Sequence, residues 1–426
     1  MARSLRLLFS VVAVLVGSAV YAQELAGQWQ GTIKSGSQDL RVIVRLSKTD
    51  AGGWTGAVYR IDEFAIGFPI NSVTLENATL KFSAPRNSYE GKISADGTVM
   101  GGTLTDGQPF RLELRRATPE TAWPTDASPH TVQFVTVEKD VKLEVLDWGG
   151  SGRPLVLLAG LGDTPHTYDR FALKLNGTYH VYGITRRGFG ASSAPDSRVF
   201  AADRLGDDVL AVLDALKLNK PVLVGHSIAG GELSSIGSRH PERVAGLIYL
   251  DAAYGWAFYD EAHGDFDVDR NELKKKLDET LASGYSAKIL RELLDMLLPN
   301  FTRDLREELL TQDAMPPAVL ASQYVPITGP SAAVLAGTQK YTRIPVPALA
   351  IYALPHDLNG GPPMDPAQRA AYEARDEITT GAQAKAFEDG VPGARVVRLP
   401  RARHYVFRSN EADVLREINA FIAGLP

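Results

Sequence analysis

Pro221-Val222-Leu223-Val224-Gly225-His226-Ser227-Ile228-Ala229-Gly230-Gly231-Glu232 is the stretch that decides the fold. Its residues 222–224 form a short apolar run, the mark of a strand buried on both faces. Small residues follow at Gly225, Ala229, Gly230 and Gly231, and the chain then reads as a helix to His240. A serine on so tight a strand-to-helix turn is lifted above the sheet edge with its hydroxyl exposed, and the amide after it can point at a developing oxyanion. The pentapeptide is Gly-x-Ser-x-Ala, with Ala229 where a second glycine is usual. Taken alone, these residues also suit a serine packed in an ordinary strand–helix turn. The flanking chain decides between the two.

Working outward, residues 131–137 and 141–148 read as a hairpin, and strands and helices then alternate. Strands are expected at 154–159, 179–184, 244–250, 348–352 and 395–399, besides the one before Ser227. Between them lie a short helix at 168–175 and a helix whose Leu205, Val209, Leu213 and Leu216 share a face. A further helix starts at Asp365-Pro366, a capping residue before proline, and the closing helix is lined by Val414, Ile418, Phe421 and Ile422. A hairpin entering such a run predicts a mostly parallel, doubly wound α/β sheet.

In these sheets function sits beyond the carboxyl ends of the strands. Those ends carry Gly160-Leu161-Gly162-Asp163, Ser227, Asp251, Asp357 and His404. A serine nucleophile needs a base, and the base needs an acid to hold its tautomer. Serine, acid and histidine occur here in that order. Two carboxylates compete for the acid: Asp251 ends its strand directly, whereas Asp357 follows its strand by a short loop.

Residues 131–426 resemble an α/β-hydrolase of the branch that holds esterases, epoxide hydrolases, haloperoxidases and proline iminopeptidases. Gly225-His226-Ser227-Ile228-Ala229 is similar to the nucleophile elbow of that family, and Arg187-Gly188-Phe189-Gly190-Ala191-Ser192 to its Arg-Gly-x-Gly-x-Ser loop. Arg403-His404-Tyr405 stands where the family's histidine follows a glycine. The resemblance implies Ser227 as nucleophile, His404 as base, Asp357 as acid in the commoner arrangement with Asp251 as the alternative, and an oxyanion hole from the amides of Leu161 and Ile228. Ala159, Thr185 and Arg403 depart from the family's usual histidine, aspartate and glycine. A serine at 227, rather than an aspartate, speaks against epoxide hydrolase and haloalkane dehalogenase chemistry.

Other polar residues have plainer readings. His226 packs against the sheet, His166 and Asp163 line a pocket or a surface loop, and His356 is a loop residue. Asp265-x-Asp267-x-Asp269 hints at a calcium loop, but Arg270 and Lys276 occupy the glycine and final carboxylate positions, so a solvated acidic stretch is expected. The insertion at 254–343 carries leucines at helical spacing: Leu273, Leu277 and Leu281, then Leu290, Leu293, Leu294 and Leu297 before Pro299 stops the helix, then Leu305, Leu309 and Leu310. It reads as a helical cap whose stripes are mostly core and in part a pocket roof, which favours an apolar acyl or aromatic group.

The N-terminal part is of another kind. Arg3 and Arg6 precede an apolar run to Val20, and Val20-Tyr21-Ala22 suits a signal peptidase, so residues 1–22 read as a leader for export to the periplasm or medium. That run is shorter than the ~20 residues of a span, and no membrane span is expected after cleavage. Residues 24–116 alternate with period two between glycine turns, which predicts a small antiparallel β-domain, a barrel or sandwich of about eight strands. It resembles the β-domains preceding the hydrolase domain in some exported bacterial serine hydrolases, through Gly27-Gln28-Trp29-Gln30-Gly31, and suits a spacer, a docking surface or a lipid-binding cup. Residues 117–130, with three prolines, read as an extended, solvated linker.

The chain of 426 residues is 44% hydrophobic and 22% charged, ordinary for globular domains, with formal net charge −5. That charge suits neither nucleic acid nor anionic lipid. With no cysteine there is no thiol nucleophile, thiolate metal site or lipoprotein anchor. The expectation is an exported serine hydrolase of a small ester, needing neither cofactor nor metal. An amidase or iminopeptidase on the same triad, a ligand-binding protein that kept the fold, and an adhesion role of the β-domain are the alternatives. The sequence sets no oligomeric state.

Overall fold

The computed structural model describes residues 25–35, 38–50, 52–61, 64–84, 87–106, 108–125, 129–195, 200–315, 327–357 and 364–426. The expected leader, 1–22, lies outside the described residues. The chain forms two compact units, Met1–Ser128 and Pro129–Pro426.

The first unit is one antiparallel sheet of nine strands in the order β4-β3-β2-β1-β9-β8-β7-β6-β5. They are β1 (Gly27–Ser35), β2 (Gln38–Lys48), β3 (Trp54–Arg60), β4 (Phe64–Pro69), β5 (Ser72–Glu76), β6 (Thr79–Ser83), β7 (Ser88–Ile93), β8 (Val99–Asp106) and β9 (Gln108–Arg116). Alternation puts every second side chain inside, as β7 does with Tyr89, Gly91 and Ile93. Trp29, Val42, Val44, Phe82, Tyr89, Met100 and Leu112 fill one core. The stretch expected to be a solvated linker is partly docked. Gln28 Nε2 donates to the Trp123 carbonyl, Gln30 Nε2 to the Thr121 carbonyl, and the Trp123 amide to Gln30 Oε1, at 2.9, 2.8 and 2.9 Å. Side-chain amides on β1 thus satisfy backbone groups that Pro119 and Pro124 keep out of regular structure.

The second unit is an eight-stranded sheet in the order β10-β11-β13-β12-β14-β15-β16-β17. The antiparallel hairpin β10 (Thr131–Glu138) and β11 (Val141–Asp147) leads into parallel strands β12 (Pro154–Leu158), β13 (His180–Ile184), β14 (Val222–His226), β15 (Gly246–Leu250), β16 (Ala348–Ala353) and β17 (Arg395–Leu399). Helices α1 (Asp169–Leu175), α2 (Ala202–Ala215) and α3 (Ala229–Arg239) fall between the early strands. After β15 come α4 (Phe266–Ser283), α5 (Ala287–Glu292), α6 (Leu298–Ala314) and α7 (Gly329–Leu335), and α8 (Pro366–Gly390), α9 (Val406–Ser409) and α10 (Glu411–Ala423) complete the unit. Strand side chains point to opposite faces in turn, so Val156 and Leu158 join the core under α2, α3 and α8, while Leu155 and Leu157 join that under α1 and α10. Chain order reverses between β12 and β14, which are paired, and this puts the site beyond their carboxyl ends. This is the expected mixed α/β sheet with helical insertions and a preceding all-β sheet.

Two expectations for the cap need correction. Leu273, Leu293 and Leu297 are buried with Ile289 and Phe301, but Leu277, Leu281, Leu290, Leu294, Leu305, Leu309 and Leu310 are exposed, Leu281 by 81%. Helical spacing says which side chains share a face, not what covers it. Nor does Pro299 stop the helix: a π-helical turn, Leu293–Leu297, joins α5 to α6, and Pro299 sits in the first turn of α6, where a missing N–H costs little. Among the described residues no helix is long and apolar enough to cross a membrane.

Candidate active site

Ser227 follows β14 directly, with φ of 54°, the strained left-handed conformation of an elbow, and is half-buried. The turn needs small neighbours at definite places. A Cβ on Gly230 would stand 2.0 Å from the Ala252 carbonyl oxygen, so the glycine demanded by close packing is Gly230, and position 229 accepts alanine. A Cβ on Gly160 would stand 2.8 Å from His226 Nδ1 and 3.4 Å from Ser227 Cβ, which brings the Gly160–Leu161 turn against the serine.

Arg186 locks that turn, a residue the sequence reading passed over for Arg187 beside it. Its Nη2 and Nη1 donate to the carbonyls of Ala159 and Gly160 at 3.0 and 3.3 Å, and its Nε donates to Glu232 on α3. The guanidinium therefore ties the Gly160–Leu161 turn to the elbow helix, with both charges nearly buried. Arg187 instead forms a buried fork to Asp208 and reaches Glu138, a structural pair.

His404 lies beyond β17. Its Nδ1 is 2.7 Å from Asp251 Oδ2, and its carbonyl oxygen is 3.0 Å from His226 Nε2. Burial, and then the neighbouring His404, push His226 down to about 3, so it is neutral and its Nε2–H donates to that carbonyl. His226, expected to pack against the sheet, packs on the rings of His404, Tyr405 and Phe407 beyond β17 and holds the histidine loop in place. Tyr405 Oη donates to Asp163 at 2.9 Å, joining that loop to the segment after Gly160 and Leu161.

The partner of His404 is therefore Asp251 and not the expected Asp357. Asp251 is fully buried. Its Oδ1 accepts from Tyr254 Oη and the Ala353 amide, each at 2.9 Å, and its Oδ2 accepts from His404 and, at 3.0 Å, from His356 Nε2. Burial pushes its carboxyl up, but the two imidazoles outweigh burial and hold it well below the usual carboxylate range. Asp357 faces Arg403, with its carboxylate 3.3 Å from Nε. The reason is backbone alternation. His356 forms a parallel bridge with Ala402, and the Asp357 amide donates to the Ala402 carbonyl at 2.7 Å. On an extended segment successive side chains point opposite ways, so His356 turns toward Asp251 and Asp357 toward Arg403.

Apolar side chains stand beside the serine. Phe189, Phe200, Leu205, Ile228 and Val334 are buried together, with Leu161 and Trp256 against them, and Trp256 Nε1 reaches the Ser227 carbonyl at 3.4 Å. The acidic triplet proves structural and largely buried rather than solvated. Asp265 caps α4, Asp267 pairs with Arg270, and Asp269 accepts from Tyr259 and Arg303. Two groups of described residues bring potential metal ligands together, the first of His130, His166 and Asp169, the second of Asp251, His356 and His404. In the second, the ring nitrogens already meet carboxylate oxygens at hydrogen-bonding distance.

The mixed sheet and the tight turn at Ser227 are features of an α/β-hydrolase. Residues 155–417 match the sequence profile of the "Alpha/beta hydrolase family", and the chain belongs to that family. Over 149 residues it is 31% identical to a putative non-heme haloperoxidase of Mycobacterium phage D29, spanning 34% of this chain and 53% of that one. Over 107 residues it is 33% identical to a 2-hydroxymuconate semialdehyde hydrolase of Pseudomonas sp. strain CF600, spanning 24% of this chain and 38% of the other. The chain thus spans about half the length of these relatives or less. It is also similar in fold to a thermophilic esterase from Thermogutta terrifontis, with 17% identity, coverage of 69% and 98% and a TM-score of 0.43.

Proposed function

We propose that the protein is an exported serine hydrolase that cleaves a small carboxylic ester bearing an apolar acyl or aromatic group. In this reading Ser227 Oγ attacks the ester carbonyl while His404 Nε2 takes its proton. Asp251 holds the Nδ1–H tautomer and stabilises the imidazolium. The amides of Leu161 and Ile228 receive the oxyanion. The tetrahedral intermediate collapses, His404 returns the proton to the leaving alkoxide, and water then cleaves the acyl-enzyme by the same route.

The observation that carries the reading is the 2.7 Å contact of His404 Nδ1 with a buried carboxylate, beyond the elbow that sets Ser227 at positive φ. An ester is favoured over a peptide with a free amine because nearby acidic groups are engaged: Glu232 with Arg186, Asp163 with Tyr405. The apolar side chains around Ile228 fit the acyl or aromatic group. Export rests on the charged and apolar pattern of residues 1–22.

A panel of nitrophenyl esters of increasing chain length tests the reading. The expected result is turnover that Ser227→Ala lowers by several orders of magnitude without loss of fold. Equal turnover by Ser227→Ala, or none by the wild type on any ester, would refute it.

A further inference from the structure

His356 precedes Asp357 beyond β16, and each of its ring nitrogens meets a carboxylate. Nε2 is 3.0 Å from Asp251 Oδ2, and Nδ1 is 2.9 Å from Asp376 Oδ2. Asp376, on α8, also accepts the His356 amide at 2.7 Å and the Thr380 hydroxyl at 2.7 Å. A neutral imidazole carries one N–H and can serve only one of two carboxylates; the imidazolium serves both. The Asp251 oxygen that His356 approaches is the same Oδ2 that holds His404.

We propose that His356 and Asp376 are positioning residues of the site: an imidazolium anchored by Asp376 fixes the Asp251 carboxylate and shares its charge, so that His404 can accept the serine proton at lower pH than a lone Asp251 would allow. The inference deepens the hydrolase reading and rests on it for the roles of Ser227 and His404.

The balance of charges gives the size of the effect. Asp251 favours a proton on His404, and a charged His356, whose ring centre is 6.5 Å away, opposes it. At an effective dielectric between that of a protein surface and water, removing one charge at this distance moves the acid limb of activity by about one pH unit. The titratable groups on His356 are Asp251 and Tyr254 beyond β15 and Asp376 on α8, with His404 across the shared Oδ2; Tyr352 on β16 lies edge-on to Tyr254, and Tyr372 on α8 lies near Asp376. Burial raises all three tyrosines, so they stay neutral. Burial works against the charge on His356 itself, but its bonds to Asp251 and Asp376 outweigh this and raise it to about 10.

The test compares the full-length wild type with His356→Gln, His356→Lys and Asp376→Asn. It reads kcat/KM against pH and, independently of activity, the ring nitrogens of His356 and His404 by 15N NMR. His356 is expected to keep both ring protons from about pH 6 to 9 in the wild type. His356→Gln should move the acid limb and the His404 titration up by about one unit, and His356→Lys, which keeps the charge, should restore them. Asp376→Asn, which keeps the shape, should make His356 lose a proton within that range, and it serves if the Gln variant fails to fold. A wild-type His356 titrating near pH ~6.5, or a His404 titration equal in wild type and His356→Gln, overturns the inference. Expected titrations in a protein that hydrolyses no ester would sink the hydrolase reading and leave the charged relay standing.

Discussion

Replacing Asp251 by asparagine preserves the shape of the side chain and inverts what it offers to two histidines. The amide oxygen can still accept from Tyr254 and the Ala353 amide, which lie on Oδ1. The amide nitrogen must then face His404 Nδ1 and His356 Nε2, which lie on Oδ2. It can only donate, so His404 must present a lone pair at Nδ1 and carry its proton on Nε2, the nitrogen that receives the serine proton in the proposed mechanism. Wrong-tautomer replacements of this kind lower kcat by roughly 10⁴-fold, about 5.5 kcal/mol at 1.36 kcal/mol per decade. The charged His356 also loses a carboxylate, and breaking one side of a buried pair costs about 3–5 kcal/mol of stability. Asp357→Asn weakens a contact with a mostly exposed Arg403, a pair worth about 1 kcal/mol or less. Both variants should be assayed for kcat and kcat/KM on one nitrophenyl ester, with circular dichroism and denaturant titration to separate lost chemistry from lost fold. A larger fall in kcat for folded Asp357→Asn than for folded Asp251→Asn would refute the reasoning.

Stability should depend on the His356 charge in a definite direction. Its folded value of about 10 lies above the unfolded ~6.5, so its contribution is complete below pH ~6.5 and is lost as pH rises through ~10. Denaturant titrations should therefore show the wild-type advantage over His356→Gln shrinking between those limits, and an advantage that grows would contradict the assignment. Arg186→Met leaves Glu232 buried without its partner and frees the Ala159 and Gly160 carbonyls; a loss of about 3–5 kcal/mol is expected in the same titration, with a lower kcat in whatever remains folded. Val334→Phe adds bulk to the apolar cluster around Ile228, and the preferred ester should become shorter in a chain-length series.

Most of the hydrolase sheet was legible because its strands announce themselves. Val222, Leu223 and Val224, and the run from Ala348 to Tyr352, are buried on both faces, and continuous apolar runs are the signal of such strands. The elbow was legible through its small residues, and the start of α8 through Asp365 and Pro366, where a capping box with Gln368 forms. The acid was not. Asp251 and Asp357 both follow strands, and the choice between them depends on a bridge between His356 and Ala402, residues far apart in sequence. That bridge decides which of two neighbouring side chains points toward Asp251, and so turns His356 from a loop residue into its neighbour. Arg186 was missed for a related reason. Two adjacent arginines read alike in sequence, and only the fold sends one to Glu232 and the other to Asp208. In the cap, leucine spacing marked the helical segments but could not say that the chain runs on helically through Pro299, or that Leu281 and Leu294 face outward.

The central claim is that Ser227 is a nucleophile activated by His404 and Asp251. Incubation with a fluorophosphonate followed by peptide mass mapping tests it without knowledge of the natural substrate. The account predicts one adduct, on the peptide containing Ser227, absent in Ser227→Ala and formed far more slowly in Asp251→Asn than in Asp357→Asn. An unlabelled wild type, or an adduct on another residue that persists in Ser227→Ala, would contradict it.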